Sequence, residues 1–294
     1  MSELITQIIV NTIYTTMVYV LIALSFNISY YPTKILNFSH AFIITLASYL
    51  YFSLYLIFSH YLIAIFASII LTTSTGIIIY KTVFHKLIKN GTQKWIILMA
   101  SLGIYIILQN FISLIWGDNI KSLRFSDVKV GHNLLGAFIT NIQIITILSC
   151  IFILILSVGF YRYTKIGKQM KATSSNLELS IVFGINQNKI FLLAFTFGSC
   201  IAAISGILIA FETNLTPTMG FNWLLYGVVA MIIGGIGSTW GLLGGALLLA
   251  TAQHLSAYYI GSEWMDAVAY IILILFLIWK PLGFSGKRLK KVEI

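Results

Sequence analysis

Charged side chains are scarce in this sequence. Aspartate, glutamate, lysine and arginine make up 9% of the residues, against about 25% in soluble globular domains. Hydrophobic residues make up 59%, and the mean hydropathy is +0.95. A chain of this composition cannot cover its apolar surface in water, which excludes a cytosolic enzyme, a secreted disulfide-rich domain and a disordered protein. We therefore predict an all-α integral membrane protein with about eight to ten spans, each of about 20 residues.

Cysteine is rare, and the motifs of catalysis are absent from the sequence. Cys150 and Cys200 both lie inside apolar runs, so we expect two core residues and no disulfide framework. There is no G-x-x-x-x-G-K-[ST] phosphate loop, no G-x-G-x-x-G nucleotide motif and no Cys/His spacing typical of zinc. We predict no enzyme activity, no cofactor and no metal site. If ATP drives transport, a separate chain must hydrolyse it.

Nine apolar runs predict the membrane spans. A glycine-rich stretch at 234–241 divides the long apolar region 222–259, and we interpret it as a tight turn. The whole chain, 1–294, is predicted to be one transmembrane domain. The predicted spans are 5–28, 37–58, 61–80, 95–116, 138–161, 190–212, 222–236, 240–259 and 266–280.

The basic residues lie almost entirely on one side of the predicted spans. When nine spans alternate, 15 of the 18 lysines and arginines fall in loops of one side. Because cytoplasmic loops are rich in Lys and Arg, we predict a cytoplasmic C-terminus and an outside N-terminus. An eight-span count would break this separation unless one segment is re-entrant. The net charge of +10 then reflects topology, and no nucleic-acid partner is expected. The fifteen lie at position 34 and in segments 81–94, 162–189 and 280–291, and the others are Lys121, Arg124 and Lys129.

The long basic loop contains a predicted helix, residues 164–186. Apolar side chains recur on one helical face and charged or polar side chains on another. Gly167 lies near its start, and Gly184 is placed to end it. Such a helix lies either on the lipid surface or in a groove of a soluble partner, and the spacing alone does not decide between them. The apolar face holds Ile166, Met170, Leu177 and Ile181, and the polar face holds Lys168, Lys171, Ser175 and Glu178.

Three segments of this loop carry a family resemblance. They are Gly-Lys-Gln-Met-Lys-Ala at 167–172, Asn-Leu-Glu-Leu-Ser at 176–180 and Gly-Ile-Asn at 184–186. Together they resemble the coupling loop of the branched-chain amino acid ABC transporter permease family, which usually has Arg-Ala at 171–172 and Ala at 180. The resemblance implies that this loop binds an ATPase. The implied coupling residues are Gly167, Lys168, Lys171, Ala172, Asn176, Glu178 and Gly184.

Other parts of the chain resemble the same family. Gly-Gly-Ile-Gly-Ser at 234–238 is similar to its glycine turn, and Trp-Lys-Pro-Leu-Gly-Phe at 279–284 to its closing segment. Asn-Phe-Ser-His at 37–40 is similar to its Asn-Phe-Ala-His-Gly element, with Ala41 in place of the last glycine. The resemblance implies a multi-subunit importer of the bacterial inner membrane. It would contain two ATP-binding subunits, a second related permease subunit and an extracytoplasmic solute-binding protein.

Polar residues at or inside the spans are candidates for the translocation path. Asn37, Ser39 and His40 lie at the start of the second span, and Gln109 and Asn110 lie inside the fourth. They either line the path or form hydrogen bonds with neighbouring helices. The glycines of the turn either allow close helix packing or act as a hinge. These glycines are Gly234, Gly235, Gly237, Gly241, Gly244 and Gly245.

The function that we expect is import of branched-chain amino acids or similar small hydrophobic solutes. Urea and short amides are an alternative within the same family. A stand-alone secondary transporter or channel would carry ionisable residues inside its spans for ion coupling. These spans contain no Asp, Glu, Lys or Arg away from their ends. Glu212, at the outer end of the sixth span, is expected to be an exposed loop acid or to contact the binding protein or an amino group.

Overall fold

Helices and one short β-hairpin are the regular secondary structure of the described residues, 2–123, 131–134 and 136–285, in this computed structural model. The long helices coincide with apolar runs long enough to cross a bilayer. The side chains of Thr140, Thr164, Asn176, Asn186 and Ser238 cap the starts of five helices. The helices are α1 Ser2–Thr33, α2 His40–Phe58, α3 Tyr61–Ile79 continued by a π-helical turn Tyr80–Phe84, α4 His85–Lys89, α5 Lys94–Trp116, α6 Asn141–Tyr163, α7 Lys165–Ser175, α8 Leu177–Val182, α9 Gln187–Glu212, α10 Met219–Gly234, α11 Thr239–Tyr259 and, after a 3-10 turn Ser262–Trp264, α12 Met265–Trp279.

Helix α1 lies at the centre of the bundle. Its residues 18–29 are all buried, and it packs against α6, α9, α10 and α11. Small residues allow the helices to approach closely, as is common in membrane proteins. A Cβ at Gly198 would lie 2.8 Å from the Ser25 carbonyl oxygen, and one at Gly206 would lie 2.2 Å from that of Ile44. Helix α9 therefore contacts both α1 and α2 through its backbone.

The outer helices present large apolar side chains to the surroundings. Exposed examples are Ile70 on α3, Leu114 on α5, Phe152 on α6 and Ile278 on α12. In a soluble protein such a surface would be costly, whereas lipid chains solvate it well. The exposed faces therefore agree with the membrane location that the composition predicts.

The number of spans is seven or eight, and the predicted count of nine is not confirmed. Within the described residues, seven helices are long and apolar enough to cross a membrane. The turn predicted at 234–241 is present, but it bends α10 and α11 by 117° relative to each other. Helix α10 has 16 residues, a length of about 24 Å, which is shorter than the roughly 30 Å of a hydrocarbon core. The pair is therefore one broken span or a re-entrant loop.

A short β-hairpin precedes α6. Strand β1, His132–Leu134, pairs with β2, Ala137–Ile139, in antiparallel register. The predicted span 138–161 therefore starts too early, since α6 begins at Asn141, where Thr140 and Gln143 form a capping box. Part of the predicted charge separation lies outside the described residues, namely Arg124, Lys129, Lys287, Arg288, Lys290 and Lys291.

Candidate functional site

The predicted coupling loop folds as two short helices instead of one. The Thr164 hydroxyl accepts a hydrogen bond from the Gly167 backbone N–H at 3.0 Å and caps α7. The Asn176 side chain accepts one from the Leu179 N–H at 2.9 Å and starts α8. Asparagine is a favoured N-cap residue, so the chain turns at Asn176. Gly184 then ends the loop in the left-handed region, with φ of +75°.

Helix α7 is fixed to the end of the bundle by its inner face. A Cβ on Gly167 would lie 2.3 Å from the Phe160 carbonyl oxygen, so the helix touches the backbone of α6. Met170 is fully buried in a small apolar cluster with Ile190 and Ala194, against which Tyr161 also packs. The other implied coupling residues are exposed on the outer side of the loop, and they are Lys168, Lys171, Ala172, Asn176, Glu178 and Gly184.

Helix α8 exposes apolar side chains that the sequence analysis assigned differently. The sequence predicts that Leu177 and Ile181 share one helical face with Ile166 and Met170, but Met170 is buried whereas Leu177 and Ile181 are exposed. The prediction of one continuous face is wrong, because the helix breaks at Asn176, between the two pairs. Val182 and Phe183 are 80% and 75% exposed. The signal for the break was available, since an Asn followed by an acid in the first turn is typical of a helix start. We call the exposed residues Leu177, Leu179, Ile181, Val182 and Phe183 the α8 apolar surface.

The residues predicted at the second span form a buried polar cluster. Asn37, Ser39 and His40 are 4%, 1% and 2% exposed. The Ser39 hydroxyl donates to Asn37 Oδ1 at 2.5 Å, and the Ser25 hydroxyl lies 3.1 Å from His40 Nε2. The Ser25–His40 contact joins α1 to the start of α2, and the Ser39–Asn37 bond lies within the segment before α2. Both satisfy polar groups at membrane depth. Their contribution to a translocation path stays a prediction.

The glycine turn connects α10 and α11 by backbone contact. Gly235 and Gly237 have φ of +96° and +86°, which favours glycine strongly. A Cβ on Gly234 would lie 2.3 Å from the Gly241 carbonyl oxygen, and one on Gly245 would lie 2.3 Å from that of Ala230. The two helices therefore pack at a distance that larger residues would prevent. Gly244 differs from the others, since its Cβ would meet only Phe284, at 3.9 Å.

The glycine turn and the buried polar cluster both contact the last turns of α1. The Asn27 side chain accepts a hydrogen bond from the Gly237 N–H at 3.0 Å. Ser25, two residues earlier on the same helix, is the partner of His40. Gln109 and Asn110 are placed elsewhere, on α5, where Asn110 is exposed and its amide donates to the Ile106 carbonyl at 2.7 Å.

Glu212 is more buried than an ordinary loop acid. It ends α9 and is partly exposed. Its carboxylate accepts hydrogen bonds from the Gln143 amide at 3.0 Å and from the Thr140 hydroxyl at 3.4 Å. Glu212 therefore ties the end of α9 to the start of α6.

Comparison with known proteins agrees with this arrangement. A family model described as "Branched-chain amino acid transport system / permease component" matches residues 8–277. The chain is 29% identical to the high-affinity branched-chain amino acid transport system permease protein LivH of Escherichia coli K12, over 92% of this chain and 91% of that protein. Identity is 30% to LivH of Salmonella typhimurium, with the same coverage, and 28% to BraD of Pseudomonas aeruginosa, over 96% and 95% of the two chains. No solved structure matches the chain significantly. With its helical fold and with a family match over nearly its whole length, the chain belongs to the branched-chain amino acid transport permease family.

Proposed function

We propose that this chain is the membrane subunit of an ATP-binding cassette importer that carries branched-chain amino acids or similar small solutes into the cytoplasm. The observation that carries the proposal is the α7–α8 loop, which is fixed to the bundle on one side and exposes apolar residues on the other. The family membership and the names of the full-length relatives support it. On this proposal ATP is hydrolysed by two separate subunits.

The shape of the α8 apolar surface favours a protein partner over lipid. Exposed apolar patches on aqueous loops mark interaction sites. Ile181, Val182 and Phe183 are consecutive and all exposed, so they point to different sides of the helix end, about 100° apart. A bilayer surface covers one face of a helix, whereas a protein groove surrounds an inserted segment on several sides. We therefore propose that this surface inserts into an ATPase groove, with Lys168 and Lys171 at its edge.

We propose that the end of the bundle that carries the α7–α8 loop faces the cytoplasm. The Tyr80 hydroxyl donates to the Asn188 carbonyl at 3.5 Å, and Tyr31 contacts Tyr161. The loops that carry most basic residues therefore meet at one end. Lys121 lies in a separate bridge with Leu215. If α10 and α11 form a re-entrant pair, seven helices cross the membrane. The pair then begins and ends on the same side, so the loops before and after it keep the sides that nine spans would give them. The predicted charge separation is therefore the same for seven spans as for nine.

The other subunits are proposed from the family. A second related permease would complete the membrane domain, and an extracytoplasmic binding protein would deliver the solute at the opposite end. The binding protein and the permease together would select the solute. Uptake of labelled leucine, isoleucine and valine, measured against excess unlabelled urea, tests the proposed substrate class. Competition by urea, with no competition among the three amino acids, would overturn it.

The ATPase contact is tested by one charge placed on the α8 apolar surface. Phe183→Glu is expected to abolish co-purification of the ATPase, because a desolvated charge mismatch costs several kcal/mol. Phe138→Glu is the matched control, since Phe138 is exposed on β2, near the opposite end. The control should insert and retain the ATPase. If Phe183→Glu inserts normally and still binds the ATPase, the loop does not couple to it, and lipid contact explains its exposed residues.

A further inference from the structure

The aromatic ring of Tyr31 lies between the glycine turn and the end of α6, on which the coupling loop packs. A Cβ on Gly237 would lie 2.2 Å from Tyr31 Cε2, so the ring packs directly on the glycine backbone. The same ring meets Tyr161 edge-on, with centroids 6.3 Å apart and planes at 89°. We propose that Tyr31 is the positioning residue through which movement of the coupling loop reaches the glycine turn. This inference rests on the proposed function, in which the loop binds an ATPase.

The first contact in the proposed path of movement joins α7 to the end of α6. A Cβ on Gly167 would lie 2.3 Å from the Phe160 carbonyl oxygen and 2.7 Å from the Tyr161 Cα atom, so α7 packs directly on the backbone of α6 at these two residues. Met170 packs on the other side, in the cluster that includes Tyr161. Closely packed interiors transmit displacement because they contain few voids. A push on α7 must therefore move Tyr161.

The second step runs from Tyr161 to Tyr31. An edge-to-face contact of this kind is an attractive geometry for two aromatic rings. The Lys34 ammonium lies 4.8 Å from the Tyr31 ring centre, close enough for a cation–π interaction. The Tyr31 ring is thus held by neighbours and has one defined position.

The third step runs from Tyr31 to the turn between α10 and α11. Gly237 receives two contacts from α1, the Tyr31 ring against its Cα and the Asn27 side chain on its N–H. The turn sets the angle of 117° between the two helices. Glycines with positive φ tolerate backbone rotation at low cost. A shift of the end of α1 is therefore transferred to the angle between α10 and α11.

Substitution at Tyr31 tests the inference in the assembled transporter. Tyr31→Leu removes the aromatic plane, whereas Tyr31→Phe keeps both ring contacts and serves as the conservative control. We expect Tyr31→Leu to lower solute uptake per ATP hydrolysed by about 2- to 30-fold, the usual range for residues that couple two sites. ATPase co-purification should stay normal, and Tyr31→Phe should behave as the unmodified protein. Tyr31→Met, which is flexible and of similar volume, replaces the leucine variant if the latter does not accumulate.

A double-mutant cycle separates coupling from simple packing. Gly237→Ala forces a Cβ into the Tyr31 ring, and Gly91→Ala is its control, since Gly91 has φ of +66° but open surroundings. We expect Gly237→Ala to impair coupling, and to add little in a Tyr31→Leu background, because the clash is then absent. Unchanged uptake per ATP in Tyr31→Leu, or full additivity of the two changes, overturns the inference. Uptake per ATP is measured only for variants that retain the bound ATPase. A defect in coupling is therefore distinguished from loss of the ATPase contact, which the Phe183→Glu variant tests separately.

Discussion

The contact between α9 and α2 at Gly206 gives a quantitative prediction. A Cβ at this position would lie 2.2 Å from the Ile44 carbonyl oxygen and 3.0 Å from its carbon. Non-bonded heavy atoms prefer about 3.5 Å, so Gly206→Ala must push the two helices apart by about 1 Å. The same approach allows the Ser48 hydroxyl to donate to the Gly206 carbonyl at 2.8 Å, and separation would stretch that bond.

The expected cost follows from these two terms. Overpacking in a well-packed interior costs about 1–3 kcal/mol, and an interhelical hydrogen bond in a membrane protein contributes about 0.6 kcal/mol. Gly206→Ala should therefore destabilise the folded state by about 1.5–3.5 kcal/mol. Gly103→Ala is the matched control, because Gly103 lies within α5 and a Cβ there would meet nothing within 4 Å. Alanine is the better helix former, so the control should be neutral or stabilising by up to about 1 kcal/mol.

The difference in stability between the two variants can be measured by unfolding the purified proteins in mixed micelles. Circular dichroism follows the loss of helix as the fraction of denaturing detergent rises. Gly206→Ala should unfold at a clearly lower detergent fraction than Gly103→Ala. Equal midpoints for the two variants would show that α2 and α9 separate freely at this point. The reasoning about backbone contact in the bundle would then be refuted.

Three further predictions concern the loops. Thr164→Val removes the cap on α7 and should destabilise that helix by about 0.5–2 kcal/mol, seen as faster amide hydrogen exchange confined to α7. Lys171→Glu should weaken ATPase co-purification while insertion stays normal, and full retention would remove Lys171 from the proposed contact. A cysteine at Asn119, which is exposed after α5, should react with an impermeant reagent on intact cells, whereas one at Lys86 should not; strong labelling at position 86 would reverse the proposed orientation.

Much of the helical framework could be predicted because a bilayer fixes how long an apolar run must be. The run 61–80 is α3, Tyr61–Ile79, and the run 240–259 is α11, Thr239–Tyr259. Helix α1 extends beyond the predicted 5–28 to Thr33. Its last turns contain polar residues such as Asn27 and Ser29, which look like a loop in the sequence but are buried and hydrogen-bonded in the bundle.

The parts that the sequence could not predict depend on contacts between distant segments. The glycines predict a turn, but the angle of 117° between α10 and α11 is not encoded by any local pattern. Gly237 in this turn contacts Tyr31 and Asn27, which are distant in the sequence. Tyr31 was not among the candidate residues, since a tyrosine near a helix end is typical of the membrane interface. The break before α8 is different, because Asn176 followed by Glu178 is a helix-start signal that the sequence does contain.

The segment after α12 has a consequence for biogenesis. The Phe284 and Ser285 N–H groups donate to the Ile233 and Gly234 carbonyls at 2.8 and 3.2 Å. These are last-turn carbonyls of α10, which otherwise lack partners inside their own helix. Ribosomes add about 5–20 residues per second, so the closing residues are made roughly 2–9 s after the glycine turn. During that interval these two carbonyls lack the hydrogen bonds that the closing residues supply. A chain that ended shortly after Trp279 would lack them permanently, and its α10–α11 pair would be held less firmly.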